Sequence, residues 1–228
     1  GKAAEKIEQG VHFTTQGEKA TLLAEYIAKH PKELAVVFNR TKHGSDKLAK
    51  LLDKWGFSVA AIHGNKSQGQ RERALAAFRA GEVEVLVATD VAARGLDIPQ
   101  VAHVYNYDLP NVPENYVHRI GRTARAGRDG RAVAFCAPLE MGDLRAIEKA
   151  MKAEIPVIGG MAHEEPAGLK PGARQRQGQG GRPGGNGGPR QGGKPQQRAP
   201  KPKAVIGEGG NQRPARRPSR RPKSAHNI

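Results

Sequence analysis

The sequence predicts an α/β fold: a three-layer domain built on a mostly parallel sheet, followed by a disordered basic tail. Short apolar runs alternate with amphipathic helical patterns through roughly the first 160 of 228 residues. Several of those runs are apolar throughout, as expected when helices cover both faces of a parallel sheet. Beyond residue 160 the composition changes. From His163 to Ile228 there are 14 Gly, 10 Pro and 7 Gln and no aromatic residue. Such a segment cannot bury enough apolar surface to offset its ordering entropy.

The strands are expected at 11–15 (VHFTT), 34–38 (LAVVF), 59–63 (VAAIH), 84–89 (EVLVAT), 103–107 (HVYNY) and 132–137 (AVAFCA). Helical patterns lie between them. The first spans 18–29 and places Leu22, Leu23, Tyr26 and Ile27 on one face. The second spans 44–54, with Leu48, Leu51, Leu52 and Trp55 as its apolar stripe. A third, over 70–80, carries Ala74, Leu75 and Phe78 and stops at Gly81, a residue suited to a helix C-terminus. A fourth begins near Asn111, with Glu114 as its capping partner and Pro113 in the first turn, and runs through Tyr116, Val117 and Ile120. The last covers 139–152. Strand, helix, strand repeated in this way implies right-handed crossovers, and such sheets bind ligands beyond the carboxyl ends of their strands.

Two domains follow: a folded unit over 1–160 and a Gly/Pro/Gln/Arg-rich tail over 161–228. Of the formal net charge of +16, the segment from 163 onward carries +12. A cationic arm of this kind suits a polyanionic partner, most often nucleic acid, and otherwise serves as a solubilising linker. The single cysteine, Cys136, sits in an apolar run and cannot form an internal disulfide, as expected of a buried thiol in a reducing cytoplasm. No apolar stretch approaches the ~18 residues that span a membrane, and no signal-peptide pattern is visible. The chain opens without Met, as a fragment would.

Two segments carry chemistry. "ATDVAARGLDI" (88–98) follows a strand directly, with Thr89 and Asp90 at the strand end and Arg94, Gly95 and Asp97 in the next turn. Hydroxyl and backbone groups there suit a phosphate or sugar contact. An ordinary capped turn, with Asp90 and Asp97 serving their own backbone, explains the stretch equally well. "HRIGRTARAGR" (118–128) is more specific. Arg119, Arg122, Arg125 and Arg128 stand three apart, with no acid until Asp129. His118 and Arg122 share a helix face. Guanidinium forks gathered at one helix end, beside glycines, can converge on phosphate oxygens. A solvated basic end stabilised by the helix dipole is the alternative, and the lack of acidic partners argues against it.

Taken together, "AVVF", "HGNKSQGQRERALAAF", "VLVATDVAARGLDIP" and "YVHRIGRTARAGRDGRA" resemble motifs IV, IVa, V and VI of the DEAD-box RNA helicases. The resemblance covers roughly residues 7–155, in order and at matching spacing, and it implies the second of two RecA-like lobes. The "FNRTKHGSDKLAKLL" stretch and the basic tail look most like the bacterial RhlE-like subgroup.

The resemblance implies roles for matching positions. Arg122 and Arg125 are arginine fingers for the γ-phosphate of ATP, whose Mg²⁺ is held by the other lobe. Asp97 hydrogen-bonds the ribose. Arg94 and His118 couple the two lobes across the cleft. Thr41, Gly64, Gln68, Arg71 and Thr89 lie near the RNA backbone, which makes recognition indifferent to sequence. Arg119 and Arg128 are structural pairs. The expected partners are RNA, the amino-terminal RecA-like lobe of the same protein, and ribosomal or RNA-decay proteins. The expected location is cytoplasmic.

One departure stands out. The family has Gly where this chain has Ala124, which makes the aim of Arg125 less secure than that of Arg122. Neither a Gly-x-x-x-x-Gly-Lys-Ser/Thr loop nor a "DEAD" tetrapeptide occurs in the sequence. A lobe with fingers but no phosphate cradle does not hydrolyse ATP alone. The alternatives are a non-catalytic RNA-binding or RNA-chaperone module and a DNA helicase lobe.

Overall fold

Seven parallel strands form one sheet in the order β3-β4-β2-β5-β6-β1-β7. They are β1 (Ile7–Phe13), β2 (Ala35–Phe38), β3 (Val59–Ile62), β4 (Val85–Ala88), β5 (His103–Asn106), β6 (Gly130–Cys136) and β7 (Val157–Gly159). The structure, a computed structural model, describes residues 7–124 and 128–164. Arg125 and all but the first four residues of the expected disordered tail therefore lie outside the described residues.

The helices are α1 (Lys19–Ala28), α2 (Lys42–Lys54), α3 (Gln68–Arg79), α4 (Asp90–Ala93), α5 (Pro113–Ile120) and α6 (Met141–Met151). Two apolar clusters show how they cover the sheet. Leu23 and Ile27 of α1 and Leu48 and Leu52 of α2 pack with Val37, Val87, Tyr105 and Phe135. On the other face, Leu75 and Phe78 of α3, Ile120 of α5 and Leu144 of α6 pack with Val36, Leu86, Val104 and Cys136. Alternate side chains of one strand enter opposite layers, so β2, β4 and β5 are buried at every position. Burying each such Val or Leu contributes about 1.5–3 kcal/mol, and this two-sided demand is what makes the runs unbroken in the sequence.

Several boundaries differ from the expectation. The first strand starts at Ile7 and ends at Phe13, because its whole length pairs with β6, from Ile7 opposite Gly130 to Phe13 opposite Cys136. Exposed Glu8 hides that start. β7 was not foreseen: it has three residues, pairs only at Val11 and His12, and leaves Val157 exposed. Trp55 lies beyond α2 and is 43% exposed, so it is not part of that helix's apolar stripe. The expected cap by Asn111 is also absent. Val112 occupies that position with no side-chain hydrogen bond, and Pro113 begins the helix.

Buried charge ties the carboxyl ends of the strands together. Lys19 of α1 is fully buried and pairs with Asp108, at 3.3 Å, and with Glu140. Asp108 also accepts from the Arg40 backbone N–H at 2.9 Å. Past β7, His163 still contacts the body, bonding the carbonyls of Thr14 and Cys136 at 3.0 and 3.1 Å. No helix among the described residues is long and apolar enough to cross a membrane.

Candidate active site

The chain leaves β4 at Thr89, whose hydroxyl accepts from the Ala92 N–H and starts the single turn of α4. Asp90 is then turned inward to Arg119. The guanidinium of Arg119 bonds both carboxylate oxygens, Nε to Oδ1 and Nη2 to Oδ2, each at 2.6 Å. Its Nη1 donates to the Asp108 carbonyl at 2.6 Å and to Asn106 Oδ1 at 3.2 Å, and its plane lies over the Phe38 ring. Arg119 is 2% exposed, so a single cation locks the ends of β2, β4 and β5 to α5. It is a structural pair, as its matching position implies. The Asp90 carboxylate is therefore engaged with Arg119 rather than with its own turn.

Arg94, His118 and Arg122 surround a cleft of about 120 Å³ above this pair, floored by Asp90, Arg119 and Phe38. Arg94 and His118 are exposed, on α4's exit and on α5 respectively. The Arg122 guanidinium rests against the carbonyls of Leu96 and Ala93 at 3.4 Å, which are long contacts that a better acceptor can displace. Its backbone is better held. Val101 N–H donates to the Arg122 carbonyl at 3.1 Å, and Thr123 bridges to Val101. Among the residues lining the cleft only Asp90 is a carboxylate, and it is committed to Arg119. The cleft is thus shaped for an anion and offers no free carboxylate to a Mg²⁺ ion.

The other named positions divide. Asp97 follows the same turn but points outward, its side chain 96% exposed and 3.6 Å from Arg79. It does not line the cleft. Arg128 is exposed and has no ion-pair partner among the described residues. Ala124 adopts φ +55°, the left-handed region, which explains the glycine expected there.

Thr41, Gly64 and Thr89 follow β2, β3 and β4, three neighbours in the sheet, so they share one edge of it. Thr41 caps α2, its hydroxyl accepting from the Gly44 N–H at 2.9 Å. Gln68 opens α3 and its amide donates to Glu72. Arg71 folds back, Nε to the Lys66 carbonyl at 3.2 Å. A Cβ on Gly64 would lie 3.1 Å from Cε of Lys42, so that turn and the α2 start are in close contact.

Sequence reasoning missed what fixes this edge. Buried His63 accepts from the Asn65 N–H at Nδ1, leaving its Nε2 proton for Asp46 at 2.7 Å. That hydrogen bond holds the Asp46 carboxyl below its ordinary range. Lys66 joins the same carboxylate at 3.4 Å. A polar residue closing an apolar run was the available signal, and His63 directly follows β3.

Residues 18–127 match the Helicase conserved C-terminal domain family. Among solved structures, the Escherichia coli DEAD-box protein SrmB, bound to regulator of ribonuclease activity A, superposes with a TM-score of 0.63. It is 35% identical, over 71% of this chain and 98% of that one. The C-terminal domain of the DEAD-box protein Dbp5 gives a TM-score of 0.63 at 33% identity, over 68% of this chain and 92% of that one.

The chain belongs to the DEAD-box family.

Its described body is the second, carboxyl-terminal lobe of such a helicase. The DEAD-box helicase CshA of Bacillus subtilis is 55% identical over 146 residues, which are 64% of this chain and 30% of that protein. CshA of Listeria monocytogenes, named an ATP-dependent RNA helicase, is 50% identical over 64% of this chain and 28% of that protein. The chain thus spans under a third of the length of these curated DEAD-box relatives. Both carry the CshA name, so the RhlE-like expectation gains no support from them.

Proposed function

We propose that this lobe completes the nucleotide site of an ATP-dependent RNA helicase and carries part of its RNA-backbone surface. The observation that supports the reading is the cleft itself. Three cationic or donor side chains, Arg94, His118 and Arg122, face one cavity whose only carboxylate is neutralised from below. Phosphoryl transfer needs positioning and charge neutralisation, and an arginine finger is worth about 10³–10⁵ in rate, or about 4–7 kcal/mol of barrier.

In this reading Arg122 stabilises the charge that develops on the γ-phosphate. Arg125 is the second finger of the same reading. Arg94 and His118 sense closure of the amino-terminal lobe, and the solvent-facing carboxylate of Asp97 awaits the ribose. Mg²⁺ is held by the other lobe, since the cleft offers no free carboxylate. The edge carrying Thr41, Gly64, Gln68, Arg71 and Thr89 contacts sugar and phosphate of single-stranded RNA, so closing the cleft bends the strand and opens short duplexes. A stand-alone RNA-binding module has no need of such a cleft.

The domain division into a folded lobe and a basic RNA-binding arm from about residue 161 is part of the same proposal. SrmB's bound regulator of ribonuclease activity A supports RNA-decay proteins as a partner class, and a cytoplasmic setting suits these partners. The test is RNA-stimulated ATP hydrolysis when this chain is mixed with, or joined to, the amino-terminal lobe. Activity that needs both halves supports the reading. Silence of the joined protein, with RNA binding intact, contradicts it.

A further inference from the structure

At the amino-terminal ends of the strands, on the opposite edge of the sheet from the cleft, His30, Glu33 and His103 converge. His30 and Glu33 belong to the link between α1 and β2, and His103 opens β5. The His103 Nε2 lies 2.7 Å and the His30 Nδ1 3.1 Å from the same oxygen, Oε2 of Glu33. The two imidazole rings face each other with centroids 4.3 Å apart and planes 34° from parallel.

An ordinary buried histidine with a carboxylate partner accounts for His103 and Glu33. His30 aims a second imidazole nitrogen at the same oxygen, so the ligand atoms of two imidazoles and a carboxylate gather at one point. A shared divalent ion would use the lone pair of each neutral ring and the anionic carboxylate together.

We propose that His30, Glu33 and His103 form a binding site for a divalent first-row transition metal, best suited to Zn²⁺. Two imidazoles and a carboxylate are a donor set that zinc accepts, with the fourth position left to water. Tetrahedral zinc with bonds of about 2.0–2.1 Å separates its ligand atoms by about 3.3 Å. The three donor atoms all lie within 4.8 Å of one another. Glu33 is half exposed at 48%, so its carboxylate is free to adjust around an ion. A cavity of about 750 Å³, also lined by Glu8 and Asp129, gives the ion a path and its water room. The bound metal staples the α1–β2 link to the start of β5, away from the nucleotide cleft.

The test uses the full chain, stripped with EDTA and titrated first with Co²⁺, followed by its visible absorption, and then with Zn²⁺ in competition. One equivalent of Co²⁺ with the intense bands of tetrahedral coordination, displaced by Zn²⁺, is expected. The His30→Ala and Glu33→Gln variants should each weaken uptake by more than about a hundredfold, since even outer-shell partners carry about 10–100-fold. The His43→Ala variant, which alters an exposed histidine elsewhere, should bind as the wild type does. Metal-free melting of His30→Ala, compared with wild type, confirms that the variant is folded. Absence of one-to-one uptake in the wild type, or uptake undiminished in both site variants, overturns the proposal.

Discussion

Arg119 grips Asp90 through two parallel hydrogen bonds of 2.6 Å, from a guanidinium that is 2% exposed. The pair lies directly beneath the cleft that Arg94, His118 and Arg122 share. It sets the distance between the turn after β4 and α5, and so the aim of the residues on both. Removing the carboxylate strands a buried cation, which costs about 3–5 kcal/mol. Asp90→Asn should therefore lower the urea midpoint of unfolding sharply at an unchanged slope. A midpoint within experimental error of wild type would show that the pair is dispensable.

Ala124 holds φ +55°, where a Cβ is strained by about 1–2 kcal/mol relative to the right-handed region. Glycine relieves that strain but loses about 0.5–1 kcal/mol through the freedom of the unfolded chain. Ala124→Gly should thus be neutral to mildly stabilising, by about 0–1.5 kcal/mol. Ala124→Val should destabilise it, because a β-branched residue tolerates that region worst. Equal midpoints for all three proteins in a denaturation series would contradict the assignment.

How much was legible in advance follows from where each side chain ends up. Val36, Val37, Leu86 and Val87 could be placed because both faces of their strands are buried, leaving unbroken apolar runs. β7 could not, because a three-residue edge strand with exposed Val157 and Ile158 has no periodicity to read. The arginine spacing flagged Arg119 and Arg122 together. Spacing alone could not separate them; the family resemblance did, and the fold buries Arg119 against Asp90 while Arg122 lines the cleft. His63 and Asp46 are 17 apart in sequence, so their link was invisible until α2 packed beside β3.

His12 provides a pH test. Burial holds its imidazole below the ordinary 6.5, nearby Glu25 opposes the shift, and Lys29 adds to it. Its Nδ1 lies 2.9 Å from the Tyr26 hydroxyl. The unfolded chain therefore takes up the proton more readily than the folded one. The contribution is fully present above about pH 6.5 and is lost as pH falls from there through the folded value. With EDTA present, the urea midpoint should be lower at pH 5.5 than at pH 7.5, and His12→Gln should narrow that gap. An identical gap in the variant would exclude His12 as a source.

The basic arm should bind RNA weakly, without sequence preference and with strong salt dependence. Because His163 is bonded to the body, the deletion that tests this begins at residue 165. Loss of residues 165–228 should flatten the slope of log affinity against log salt, each lost phosphate contact removing about 0.7 for a single strand. An unchanged slope would make the arm a spacer.

The central claim is that Arg122 supplies charge to the transferring phosphate. The direct measurement is RNA-stimulated ATP hydrolysis by the joined two-lobe protein, comparing wild type with Arg122→Ala and Arg122→Lys under saturating ATP and RNA. Arg122→Ala should lose about 10³-fold or more in turnover, and urea unfolding of the same variant separates a lost finger from a lost fold. Lysine should restore little, because a point charge cannot reproduce the fork. Turnover in Arg122→Ala within a few-fold of wild type would contradict the account and leave Arg122 a surface residue of the cleft.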